Sequence, residues 1–199
     1  FYGLYDPAVQ TRRFQLYIND NEFHFGDFED QHFGLVDLTT TQSIGPSPDV
    51  VIQNYEYAPQ AKVNPIENYT PKPGDNLTLT TTVRGSQNHY KWFKDGVELP
   101  DAPDSPNLVL ENINSCDAGV YYSEITSDLV PFENSNPPGT NGKNLLLVRN
   151  DITLTINYTE QCSALLNPVD GAVNVTRNPT ITWQDRLAAC SYILNVGTT

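Results

Sequence analysis

Two phrases between Thr81 and Ser123 restrict the fold of this chain more than any other feature. The first is Lys91-Trp92-Phe93-Lys94-Asp95-Gly96, and the second is Asp117-Ala118-Gly119-Val120-Tyr121-Tyr122-Ser123. Just upstream, Leu77, Leu79, Thr81 and Val83 alternate with Thr78, Thr80 and Thr82, the period-two pattern of a strand with one buried face. Asp95-Gly96 after Tyr90 and Trp92 is a hairpin signal, and Pro71-Lys72-Pro73-Gly74-Asp75 marks a turn ahead of the first strand. Further short apolar runs follow at Leu108-Val109-Leu110 with Ile113, at Leu145-Leu146-Leu147-Val148, and at Ile152, Leu154 and Ile156. Short strands, regular turns and a large indole among them predict an antiparallel sandwich with Trp92 in its core.

Over residues 62–157 this pattern resembles an immunoglobulin-like domain. The resemblance implies that Trp92 lies on strand C between the sheets, and that Tyr121, at the start of strand F, bonds back to the corner that holds Asp117. The cysteines that usually join strands B and F would fall at Thr81 and Ser123, so the sandwich is expected to lack that disulfide. The two side chains should then face each other near Trp92. Between strands F and G, residues 128–143 form a long connection, of a length that is usually functional or disordered. In this fold it shares one end with the Arg84–His89 loop, which makes His89, Phe132, Asn134 and Asn136 candidate ligand-binding residues. A passive insertion accounts for the same segment, and another antiparallel sandwich would alter only the strand order.

Composition agrees with a mainly β chain built of small modules: 199 residues include 11 Tyr, 8 Phe, 15 Pro and 12 Gly, without a long amphipathic helical pattern. The formal charge of −13 opposes binding to nucleic acid or anionic lipid. No apolar run reaches the roughly 18 residues that a spanning helix needs. The first residues lack the pattern of a signal peptide, and the chain reads as an internal piece of something longer.

Residues 1–61 carry Phe14-Gln15-Leu16-Tyr17-Ile18-Asn19-Asp20-Asn21-Glu22-Phe23, which resembles the core of a leucine-rich repeat. The resemblance places Leu16, Ile18 and Phe23 inward and has Asn21 bond backbone groups at the turn. One repeat cannot bury its own apolar face, so this segment is expected to be the C-terminal cap of an upstream array, followed by a linker. Tyr55-Glu56-Tyr57-Ala58-Pro59-Gln60 is similar to the linker of secreted bacterial leucine-rich-repeat proteins of the Bacteroidota type. An irregular segment with one strand is the alternative. A calcium loop starting at Asp20 fails, because His24 and Phe25 occupy positions that need an oxygen ligand and a glycine.

Residues 158–199 resemble the opening of a bacterial fibronectin type III-like module, on Pro168-Val169-Asp170-Gly171-Ala172, Pro179-Thr180-Ile181-Thr182-Trp183 and Tyr192-Ile193-Leu194-Asn195-Val196-Gly197-Thr198. Trp183 is expected in its core. Only three of the roughly seven strands of such a domain are present, so the polypeptide is expected to continue. With three cysteines at most one internal bridge can form. Within this module Cys162 and Cys190 are expected to pair, worth roughly 3 kcal/mol by the unfolded-chain argument and implying an oxidising compartment. Cys116 reads as a small buried hydrophobe.

No catalytic, cofactor or metal site is predicted. His24, His32 and His89 lack a nucleophile setting, and the spacing of His24 and His32 does not specify zinc. Four glycosylation sequons begin at Asn68, Asn76, Asn157 and Asn174, with little meaning in a bacterial source. The reading is a non-catalytic fragment of a large secreted or cell-surface protein in adhesion or surface recognition. The resemblance implies type IX export, with a protein or glycan ligand and secretion or surface-anchoring machinery as partners. Accessory modules of a secreted hydrolase and a structural stalk are the alternatives.

Overall fold

The structure, a computed structural model, describes residues 4–6, 11–32, 35, 50–130, 145–157, 163–169, 171–185 and 194. At the N-terminus, strands β1 (Leu4–Asp6), β2 (Thr11–Tyr17) and β3 (Val50–Glu56) form a sheet in that order. β2 runs antiparallel to β1 and parallel to β3. Leu16 and Ile18 pack toward the core, but Phe23 is 37% exposed, so the inward position expected for it is not met. The chain turns at Phe23, and its ring instead meets the edge of Phe28.

The Pro59-Gln60 phrase has a local job. The Gln60 carboxamide donates to the carbonyls of Ile18 and Tyr57 at 2.6 and 2.7 Å, while its oxygen accepts from the amides of Asn21 and Phe23. One side chain thereby satisfies backbone groups on both passing segments, which would otherwise lack partners. Asn21 itself donates to the Asn19 carbonyl at 2.8 Å.

The next strands are β4 (Glu67–Tyr69), β5 (Leu77–Thr80), β6 (Asn88–Lys94), β7 (Val97–Glu98), β8 (Asn107–Leu110), β9 (Gly119–Ser127), β10 (Leu147–Val148) and β11 (Ile152–Leu154). One sheet has the order β4-β11-β9-β6-β7, with β10 also on β9, and the other pairs β5 with β8. β4 is parallel to β11, and the remaining pairs are antiparallel. This is the immunoglobulin-like arrangement: β5 and β8 take the B and E places, and β6, β9 and β11 the C, F and G places. The strict alternation along β9 buries Tyr121, Ser123, Ile125 and Ser127, as period two requires.

Two apolar clusters result. Leu79, Trp92, Leu108, Ile113, Tyr121, Ile152, Leu154 and Ile156 fill the space between the sheets. The second cluster joins Phe25, Phe28, Tyr55, Tyr57 and Ala58 to Ile125, Val130, Leu145 and Leu147. Residues of the expected linker are therefore core residues, because Tyr57 and Ala58 bury their side chains against β9 and β10.

Beyond the sandwich, β12 (Leu165–Asn167) pairs antiparallel with β13 (Thr182–Trp183). Trp183 is 38% exposed, which corrects its placement in a core. Among the described residues this pair has no facing layer, and Leu165, Leu166, Val173 and Val175 are exposed beside it. A second correction concerns the disulfide. Cys116 is exposed and disulfide-bonded. The small buried hydrophobe expected at Cys116 is therefore not what stands there, and the expected Cys162–Cys190 pair lies outside the described residues.

Candidate functional site

The residues singled out by the immunoglobulin pattern form the structural centre. Trp92 is fully buried, and its indole N–H donates to the Ser105 carbonyl at 2.9 Å. The Tyr121 hydroxyl donates to the Asp117 carbonyl at 2.7 Å, closing the corner. Burial first, then the nearby charges of Asp117 and Asp95, push its pKa up. The Asp117 carboxylate accepts from the Asn114 amide at 2.8 Å and fixes the turn. Thr81 and Ser123, both buried, share a hydroxyl hydrogen bond of 2.7 Å between the sheets.

Sequence reasoning missed Arg149, which is also fully buried. Its guanidinium donates to the carbonyls of Thr80 at 3.1 Å and Asn150 at 2.6 Å, and lies 3.1 Å from the Glu67 carboxylate. Arg149 follows the apolar run at 145–148, where a cation reads as a solvated strand end. Only the neighbouring Thr80 and Glu67, distant in sequence, reveal its role. A buried cation of this kind requires such partners.

The outward face of the larger sheet is polar and aromatic together. Phe93 and Tyr122, paired across β6 and β9, stack with ring planes 2° apart and centroids 4.8 Å apart. Beside them Lys91, 64% exposed, bridges to Glu98 at 3.2 Å, and Glu124 lies opposite Lys91. A depression of about 250 Å³ on this face is lined by His89, Tyr90, Lys91, Asp104, Glu124 and Thr126, with Leu146.

His89, at the start of β6, is the one ligand candidate that the described residues include; Phe132, Asn134 and Asn136 lie outside them. Its Nδ1 is 2.7 Å from Asp104 and its Nε2 is 3.3 Å from Asp128. The hydrogen bond to Asp104, then that to Asp128, raises its pKa. Burial alone would raise Asp104, but the His89 bond and the Tyr90 amide, which donates at 2.6 Å, outweigh it and hold Asp104 low. Because the two carboxylates sit at opposite ring nitrogens, the trio cannot chelate one ion. Among the described residues no group of three His, Cys, Asp or Glu side chains is placed to hold a metal. No described helix is long and apolar enough to cross a membrane.

The opposite side of the Arg84–His89 loop is occupied by the chain itself. The Gly26 amide donates to the Arg84 carbonyl at 2.9 Å, the Arg84 guanidinium pairs with Asp27 at 2.6 Å, and the Ser86 amide donates to Glu29 at 2.6 Å. A Cβ on Gly26 would sit 3.2 Å from the Arg84 Cβ and the Gly85 nitrogen, so glycine permits this approach.

No family model matches the chain. It is 31% identical over 112 residues to Cell adhesion molecule 2 of Rattus norvegicus, covering 52% of this chain and 25% of that protein; the Mus musculus protein gives the same figures. Muscle M-line assembly protein unc-89 of Caenorhabditis elegans is 27% identical over 108 residues, covering 51% of this chain and 1% of that protein. Among solved structures, Sidekick-1 immunoglobulin domains 1–4 align with a TM-score of 0.38 at 17% identity over 53% of this chain and 24% of that one. Murine CEACAM1b aligns at 0.36 and 19% over 55% and 49%. The chain thus spans about a quarter of the length of the mammalian cell adhesion molecules it is similar to.

Proposed function

We propose that this chain is a non-catalytic recognition segment of a secreted or cell-surface protein, and that it meets a protein partner on the outward face of β6 and β9. The observation that carries this reading is the stacked Phe93–Tyr122 pair on an open sheet face, flanked by Lys91, Glu98 and Glu124. Aromatic side chains with a polar rim are the usual composition of a protein interface. Similarity to Cell adhesion molecule 2 supports adhesion as the setting. The disulfide at Cys116 supports an oxidising compartment.

The finer setting is also a proposal. Parallel pairing of β2 with β3 and the Asn21 turn bond support a leucine-rich-repeat cap, and the β12–β13 pair supports a fibronectin-like opening. The Tyr55–Gln60 and Pro168–Ala172 phrases support a bacterial surface protein of the type IX route. Fold alone does not decide among these. Wild type and the Phe93→Ser/Tyr122→Ser variant would be coupled to beads and tested for adhesion to cells. The reading expects loss of adhesion at an unchanged melting temperature. Equal adhesion by a correctly folded variant removes the face, and loss on deleting 128–143 alone moves recognition to that loop.

A further inference from the structure

The loop from Arg84 to His89 is held at its two ends by two histidines whose required charges are opposite. At the front, the Arg84 amide donates to Nδ1 of His24 at 3.0 Å. A ring nitrogen can accept only when it carries no proton, so this anchor needs the neutral imidazole. At the back, His89 presents Nδ1 to Asp104 and Nε2 to Asp128. A neutral imidazole donates from one nitrogen only, so gripping both carboxylates needs the imidazolium.

We propose that the Arg84–His89 loop is a pH-set element, anchored at both ends near neutrality, its Arg84 amide freed from His24 in acid and one of the two carboxylates Asp104 and Asp128 freed from His89 in base. The charged groups around each anchor agree with these signs. Around His24 stand Arg84, Asp27 and Glu22, and Glu29 lies beyond at Ser86. Burial, then Arg84, lowers the His24 pKa against the pull of Asp27 and Glu22. Around His89 stand the two carboxylates it grips, which raise its pKa, with Lys91 and Glu124 further along the depression. The two titrations therefore bracket the ordinary histidine value, and both anchors coexist between them. His32, whose buried ring packs on Tyr55 and Tyr57 of the neighbouring apolar cluster and whose pKa burial lowers, is the other histidine on this side that charges in acid, and the His24 variant separates the two. His89 lines the depression on the recognition face, so loop release alters that face directly.

The full chain, ¹⁵N-labelled, would be titrated by NMR from about pH 5 to about pH 8.5, following ring nitrogens and amide protection. Arg84 amide protection is expected to fall by about tenfold or more on the acid side, and that of Asp128, whose amide donates to Gln87, on the alkaline side. His24→Asn keeps an acceptor that does not titrate, and should abolish the acid limb alone. His89→Gln should abolish the alkaline limb alone. An acid limb that survives in His24→Asn assigns the change elsewhere, to His32 for example, and overturns the proposal. So does an alkaline limb that survives in His89→Gln. Should either variant misfold, the wild-type rings decide: a protonated Nδ1 on His24 at neutral pH, or a singly protonated His89 near pH 6, refutes the scheme.

Discussion

Thr81 and Ser123 occupy the places of an inter-sheet disulfide and share a hydrogen bond instead, so the double substitution Thr81→Cys/Ser123→Cys should form a bridge where the hydroxyls now meet. The two positions are 42 residues apart and their oxygens 2.7 Å apart. Closing a loop of that size removes unfolded-chain entropy worth about 4 kcal/mol at 25 °C. The lost hydroxyl bond offsets about 1 kcal/mol of this. The net gain is about 3 kcal/mol, which for a cooperative unit of this size raises the melting temperature by about 12 °C.

Thermal unfolding followed by circular dichroism, with and without a thiol reductant, measures the effect. Wild type needs the same pair of scans, since Cys116 is already bonded and its reduction shifts the baseline. The quantity of interest is the oxidised-minus-reduced difference in the variant beyond that in wild type. An excess near zero, with the new bridge confirmed by mass spectrometry, would refute the claim that β9 and the end of β5 meet without distortion. Failure of the bridge to form would refute the facing geometry itself.

Two further outcomes follow from buried or paired charges. Arg149→Met keeps the aliphatic bulk but strips donors from the carbonyls of Thr80 and Asn150 and takes the cation from Glu67, which keeps only its bond from the Tyr69 hydroxyl; it should cost about 3 kcal/mol in urea unfolding. A loss below about 1 kcal/mol would show that the guanidinium is not a structural tie. His89 binds its proton more tightly in the folded chain, so its contribution is complete below the unfolded value of 6.5 and fades as pH rises through its raised folded value. Stability of wild type relative to His89→Gln should therefore decline on the alkaline side of 6.5, and a decline on the acid side instead would contradict the contacts with Asp104 and Asp128.

What the sequence disclosed and what it hid separate along the range of the interactions. Trp92, Tyr121 and the facing pair Thr81 and Ser123 were legible because strand period, turn chemistry and corner geometry are short-range constraints. β4 was not, since Glu67-Asn68-Tyr69 has no distinct periodicity and becomes a strand through parallel pairing with β11. Arg149 was hidden for the same reason, since Thr80 and Glu67, which it meets across the fold, lie far away in the chain. The bond at Cys116 was hidden because an isolated cysteine beside the apolar Ile113 reads as a small buried hydrophobe, whereas the side chain is exposed and disulfide-bonded. Phe23 was misplaced by a repeat template that presumes a continuing inward face, while here the chain turns into the Phe25–Asp27 3₁₀ turn.

That turn also decides which surface remains for a partner. In an immunoglobulin-like sandwich the loops at one end are the common place for recognition, and residues 84–89 belong to that end. Here Arg84 and Ser86 are engaged by Gly26, His24, Asp27 and Glu29, and the aromatic cluster beneath them is continuous with the core. A partner approaching this side of the loop would have to displace several hydrogen bonds, two of them to carboxylates at exposed positions, where each is worth about 1 kcal/mol or less. The side of the same loop that stays open is the one carrying His89, and it runs on into the Lys91, Phe93, Tyr122 and Glu124 face. By folding residues 24–29 onto one flank of the loop, the chain leaves, among the described residues, the β6–β9 face open on the other.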